Sequence, residues 1–138
     1  MTGNKDCIFC KVIAGELPCW RVYEDERAVA FLDLYPTSKG HTLVVPKKHC
    51  ADFVSADIEC LQSVLLTTQK IARAVVAGTN ADGCNVTTNN GKAAGQSVLH
   101  LHWHIIPRFD GDGLVMWPQA PYDEGEKEVF QERIGKFL

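Results

Sequence analysis

Apolar positions along this chain follow a helical period in some stretches and strict alternation in others. From Asp6 to Ala14, Ile8, Phe9, Val12 and Ile13 recur at near-helical spacing, which predicts a short helix stopped by Gly15. Trp20 to Tyr23 and Ala28 to Leu32 read as short strands around the polar turn Glu24-Asp25-Glu26. Leu34 to Gly40 is a loop crowded by Pro36, Ser38 and Gly40, and His41 to Val45 is a strand stopped by Pro46. A long helix is expected over Ser55 to Ala77, capped by Ser55 and closed by Gly78. Its buried face would carry Ile58, Leu61, Leu65, Ala72 and Val75. Cys84 to Thr88 reads as a strand and Asn89 to Gly95 as a Gly- and Asn-rich loop. Val98 to Ile106 is a strong strand ending at Pro107. The tail from Tyr122 to Leu138 carries a last helix, with Val129, Phe130, Ile134 and Phe137 expected inward.

One long helix, shorter helices at both ends and five strands joined by short connections predict an α+β domain with a mainly antiparallel five-stranded sheet. No repeat, low-complexity stretch or linker divides the chain, so residues 1–138 read as a single domain. An apolar content of 46% with 22% charged residues is that of an ordinary globular chain. A formal net charge of −3 argues against broad electrostatic binding of nucleic acid, which favours a basic surface. No basic segment leads into an apolar core near the start and no long apolar run follows, so neither secretion nor membrane insertion is expected. Six cysteines in such a chain read as reduced thiols or metal ligands, and the expected compartment is the cytoplasm.

The informative segment is Gly95-Gln-Ser-Val-Leu-His100-Leu-His-Trp-His104-Ile-Ile-Pro107. On a strand, His100, His102 and His104 would share one face, and Leu101, Trp103 and Ile105 the other. Three readings compete. The rings are separately satisfied histidines, or they hold an open catalytic zinc, or they perform phosphate chemistry. No H-E-x-x-H motif supplies a base for the zinc reading, and neighbouring side chains along one strand lie well apart.

The run His100 to Ile106 resembles the signature of the histidine triad (HIT) family. Cys7-Ile-Phe-Cys10, Ala30-Phe-Leu-Asp33-Leu, Gly40-His-Thr-Leu-Val-Val-Pro-Lys-Lys-His49 and Ala94-Gly-Gln-Ser97 match further blocks in the family's order. The resemblance implies that His102 is the nucleophile. It would attack an α-phosphorus and form a nucleotidyl-histidine that water then hydrolyses. Its other ring nitrogen would bond a backbone carbonyl near the first triad position. His104 would stabilise charge beside the phosphate, with His41 as the site's fourth histidine and Asp33 as the acceptor for ribose hydroxyls. Without the resemblance, His41 is a structural residue at a strand start and Asp33 an ordinary turn former. Asn89, Gln96 and Ser97 would contact phosphate or leaving group. Ile8, Phe9, Phe31, Leu34 and Leu43 would wall the base, though each could equally be core.

Cys7-x-x-Cys10 has the spacing of half a zinc site or of a redox pair. The resemblance to zinc-containing bacterial members completes a structural Cys2His2 set of Cys7, Cys10, His49 and His100. Cys19, Cys50, Cys60 and Cys84 have no comparable spacing and are expected to be thiols. Because His100 would share a strand face with His102, twist at the strand start must separate their roles. Trp103, on the opposite face, should affect packing or a subunit contact. The 110–121 stretch is either a mobile loop near the substrate or a segment at a subunit edge. The implied activity is hydrolysis of purine nucleoside phosphoramidates or related monophosphate derivatives by a homodimer. One alternative is dinucleoside polyphosphate hydrolysis, toward which Arg108 leans, whereas Asn89 and Ser97 lean the other way. Another is a nucleotide-binding scaffold with incidental turnover.

Overall fold

The computed structural model of the chain describes residues 4–138. Its order is α1 (Ile8–Ile13), β1 (Arg21–Glu24), β2 (Ala28–Leu32), β3 (Thr42–Pro46), α2 (Ile58–Thr79), β4 (Gly83–Thr87), β5 (Trp103–Arg108) and α3 (Glu126–Gly135). The five strands form one sheet in the order β1-β2-β3-β5-β4, antiparallel at every junction. This is the expected α+β architecture. Among the described residues, no helix is long and apolar enough to cross a membrane.

The central strands are buried on both faces, which explains their unbroken apolar runs. Ala30, Val44, Leu101 and Ile105 pack with Cys60, Val64, Ile71 and Val75, on the face that α2 covers. Val29, Phe31, Leu43 and Val45 pack on the other face with Phe9 and Val12 of α1. Directly opposed residues of antiparallel strands point the same way. Leu43 pairs with His104 and Thr87 pairs with His104 from the other side, so His104 faces the α1 side.

Helix α2 starts and ends later than its pattern suggests. Asp57, not Ser55, is the N-cap: its carboxylate accepts from the Cys60 N–H, whereas Ser55 is bonded to Asp52. The helix runs through Gly78, and Asn80 closes it in the left-handed conformation at φ 54°. Its buried face is Cys60, Val64, Thr67, Thr68, Ile71 and Val75, leaving Ile58 and Leu65 exposed. Thr68 reaches that face because its hydroxyl donates to the Val64 carbonyl one turn back. At the far end, Gly40 lies so close to α2 that a Cβ there would sit 2.6 Å from Thr79 Cγ2. Only glycine lets the loop before β3 pass.

Three further expectations are corrected. Cys50 and Cys60 are joined by a disulfide rather than being thiols, since the loop after His49 packs onto the first turn of α2. Val129, Phe130 and Ile134 of α3, and Phe137 just after it, are exposed rather than inward; α1 and α2 already cover the two core faces of the sheet. Strand β5 begins at Trp103, not Val98, and continues through Pro107 to Arg108 on the β4 side after pairing with β3 has ended.

Candidate active site and metal centre

Residues 98–102 are not a strand, because their backbone groups bond elsewhere. The His100 N–H donates to Val98 O, the Leu101 N–H to Cys50 O, and the Thr88 hydroxyl to His102 O. The bends turn His100 away from its neighbours, and strand twist is not needed to separate the roles. Leu101 and Ile105 still fall on the α2 side, as alternation predicts, and Trp103 packs against them and edge-on to Phe53.

His100 is fully buried. Its Nε2 lies 2.9 Å from Pro46 O, which only accepts, so the proton of the neutral ring is on Nε2 and Nδ1 carries a lone pair. That lone pair meets Cys7 Sγ at 3.4 Å, Cys10 Sγ at 3.6 Å and His49 Nδ1 at 3.3 Å; Cys10 Sγ is 3.4 Å from His49 Nδ1. Zinc bonds of about 2.3 Å to sulfur and about 2.0 Å to nitrogen give tetrahedral S–N and N–N edges of about 3.5 and about 3.3 Å. The four groups therefore have the donor chemistry and spacing of a closed tetrahedral centre. The Pro46 carbonyl is the outer partner that metal-bound imidazoles usually have.

Hydrogen-bond partners also fix the other rings. His102 Nδ1 lies 2.7 Å from His100 O, an acceptor only, so Nδ1 bears the proton and Nε2 the free lone pair. The Thr37 N–H donates to His41 Nδ1 at 3.2 Å, which puts the His41 proton on Nε2. That nitrogen is 2.9 Å from His104 Nδ1 and donates to it, so His104 carries its own proton on Nε2, where it has no protein partner. Two adjacent rings, with centroids 4.9 Å apart, thus offer opposite groups: an unprotonated nitrogen on His102 and an N–H on His104. Asp33, His41 and His104 also lie close enough to share a cation, but this proton relay already accounts for their contacts.

Burial first, then the neighbouring His102 and His41 rings, push the His104 pKa down to about 4. Burial likewise lowers His41, with Asp33 opposing it. Asp33 Oδ1 accepts from the Tyr35 N–H, so the residue does form the turn, while Oδ2 stays 3.7 Å from His41.

A cleft of about 610 Å³ opens over this face, lined by Asp33, His41, Asn89, His104, Arg108 and Trp117 among others. His102 lies one ring deeper, 4% exposed, with Phe9 edge-on at 5.1 Å. Ser97 is exposed in the adjoining loop. Gly95, at φ 88°, takes the left-handed backbone that turns that loop beside the Asn89 amide. Gln96 is fully engaged, accepting from the Gly91 N–H and donating to Ala51 O and Val98 O, so its side chain shapes the loop. Phe9, Phe31 and Leu43 are buried core residues, whereas Ile8 and Leu34 are exposed.

Sequence reasoning missed Thr37 and Thr88, and it left the 114–117 segment, which lines the cleft, between a place near the substrate and one at a subunit edge. Arg108 folds that segment back by donating to Leu114 O and meeting Met116, with its remaining donors on Asp112 and Asn85. Part of the cleft floor was legible: Asn85 and Thr87 alternate on β4 and pair with Ile106 and His104.

A family model for the HIT domain matches residues 14–111. The adenosine 5'-monophosphoramidase hnt1 of Schizosaccharomyces pombe is 40% identical over 93% of this chain and 95% of its own. A Streptococcus mutans crystal structure superposes with a TM-score of 0.90 at 40% identity, covering 99% of this chain and 88% of that one. A zinc-bound histidine triad family protein of Mycobacterium smegmatis superposes at 0.76 with 38% identity, covering 96% and 95%.

Two outcomes follow from this geometry. Ring ¹⁵N spectra should find the proton on Nδ1 of His102 and on Nε2 of His41 and His104, with His104 titrating near 4. The unfolded chain takes up that proton near the ordinary 6.5, so this ring removes stability as pH falls from 6.5 toward 4; a His104 proton on Nδ1 contradicts the relay. Metal analysis should find one zinc per chain, lost in Cys7→Ser, with a lower thermal midpoint after chelation; a zinc-free protein with all four side chains intact rejects the centre.

Proposed function

The chain belongs to the HIT domain family, and on that premise we propose that it hydrolyses purine nucleoside phosphoramidates or related nucleoside monophosphate derivatives through His102. The observation that carries this reading is the 2.7 Å bond from His102 Nδ1–H to His100 O. It leaves Nε2 nucleophilic. In the first step an Nε2–phosphorus bond forms and the phosphorus–nitrogen bond breaks, the nitrogen taking up a proton from solvent to leave as the neutral amine. The ring becomes a nucleotidyl-imidazolium whose positive charge strengthens the bond to the carbonyl. In the second, water attacks phosphorus and gives up one proton to solvent, and His102 leaves neutral with its proton still on Nδ1.

His104 Nε2–H hydrogen-bonds the phosphate or the departing nitrogen, and burial keeps the ring neutral so that its Nδ1 still accepts from His41. Asp33 Oδ2 accepts from ribose hydroxyls, and Asn89 and Ser97 flank the phosphate. Gln96 acts on them through the loop. Ile8 and Leu34 lie exposed beside Phe9, Phe31 and Leu43, as a wall that a base covers would. Zinc at Cys7, Cys10, His49 and His100 supplies a cross-link between α1, the loop after β3 and the triad segment.

Arg108 speaks against the dinucleoside polyphosphate alternative, because Asp112, Asn85 and the Leu114 carbonyl already occupy its guanidinium. The activity named for the fission-yeast relative supports the phosphoramidate reading. A scaffold that only binds nucleotide has no need of a lone pair on His102. We also propose a homodimer: edge strand β4 exposes Val86, α2 exposes Leu65 and Leu66, and α3 exposes Phe130 and Ile134.

With an adenosine phosphoramidate, His102→Ala should lose at least about a thousandfold in turnover while AMP affinity survives. A dinucleoside polyphosphate should be the poorer substrate. Equal slow turnover by wild type and variant would leave the scaffold reading standing. Light scattering should give twice the mass of one chain, and a single-chain mass at micromolar concentration excludes the dimer.

A further inference from the structure

His100 belongs to the metal cluster through its ring and to His102 through its carbonyl. We propose that His100 and Phe9 are positioning residues for His102, and that their hold on it requires the cluster to be filled. The inference rests on His102 being the nucleophile.

His100 has no cross-strand partner, since β5 starts only at Trp103 and its own N–H closes a tight turn onto Val98. No ladder therefore fixes the carbonyl that receives the His102 proton. Its peptide plane is held by the Leu101 N–H, which donates to Cys50 O next to His49, and by the His100 side chain, through Nε2–H to Pro46 O and Nδ1 in the cluster. Emptied, the cluster opposes two ring nitrogens at 3.3 Å with two sulfurs beside them. Without a cation, a thiol or the His49 ring can offer His100 Nδ1 a single hydrogen bond, a looser hold than a bond to a metal shared by four ligands.

The second support leads back to the same place. Phe9 stands between the two cysteines on α1, with its ring 5.1 Å from that of His102 and 5.6 Å from that of Phe31. A helix of six residues, with no side-chain hydrogen bond from its N-cap Cys7, is too short to hold itself. Its placement depends on apolar packing and on the cysteines at either end of its first turn. The carbonyl bond and the Phe9 contact thus end on metal ligands or on the residue between them, whereas the Thr88 hydroxyl and the His104 ring hold His102 from the sheet side. A displacement of even an ångström between nucleophile and phosphorus costs roughly a hundredfold in rate while changing ground-state binding far less.

The test compares zinc-loaded wild type, chelated wild type and His49→Asn, whose half-buried ring touches the cluster but not His102. Each is checked for folding by circular dichroism at the assay temperature. Readouts are kcat and KM for an adenosine phosphoramidate and the His102 Nδ1–H resonance. Metal loss should lower kcat roughly ten- to a hundredfold with KM within about twofold, and shift that resonance away from its hydrogen-bonded position. Zinc restores the chelated wild type. If that protein unfolds, His49→Asn titrated with zinc carries the test, with kcat and the resonance rising together. A folded, zinc-free protein with unchanged kcat and resonance overturns the proposal. If the loaded wild type shows no turnover dependent on His102 while the resonance still follows zinc, the hydrolase reading fails and the positional link stands.

Discussion

Everything the site can do depends on where one proton sits. The His100 carbonyl accepts from His102 Nδ1 at 2.7 Å, and a carbonyl cannot donate in return. The tautomer of His102 is thereby set by backbone, which does not titrate. The Thr37 N–H sets His41 in the same way, and His41 passes the choice to His104. His102 and His104 therefore present opposite groups, a lone pair and an N–H, while His41 uses both of its nitrogens in setting that choice. Protonation at neutral pH would erase those differences, and burial opposes it in all three rings.

The fold serves this arrangement by bringing two kinds of backbone together. Strand β5, paired on both sides, fixes His104 opposite Leu43 and Thr87. Immediately before it, residues 98–102 run outside the ladder, which is where one carbonyl can turn toward a side chain two positions on. Gln96 and Thr88 brace that departure, Gln96 from the preceding loop and Thr88 through the His102 carbonyl. The 114–117 segment, folded back by Arg108, then lines the outer end of the cleft.

Much of this was legible in the sequence because its signals are local. Apolar runs gave away β2, β3 and β5, and alternation separated Leu101 and Ile105 from the site face. The cysteine pair and the histidine run, read with the HIT resemblance, assembled the Cys7, Cys10, His49 and His100 cluster that the geometry brings together. Signals that depend on backbone direction were not legible. Thr67 and Thr68 look polar but hide on the buried face of α2 by bonding helix carbonyls, which displaced the expected face toward Leu65. Asp57 outcompeted Ser55 as a cap because only Asp57 stands directly before the first turn. Residues 98–102 keep the composition of a strand while their bonds go to Val98, Cys50 and Thr88. The disulfide joins residues ten apart through packing that spacing does not reveal.

The central claim, that the buried, carbonyl-bound His102 attacks phosphorus, is tested most directly by rapid acid-free quenching of a reaction with an adenosine phosphoramidate followed by peptide mass spectrometry. The account predicts an adenylyl group on the peptide containing His102, located on that ring by fragmentation and absent from the His102→Ala protein. Turnover with no adduct on His102 at any quench time, or an adduct on another side chain that persists in that variant, contradicts it.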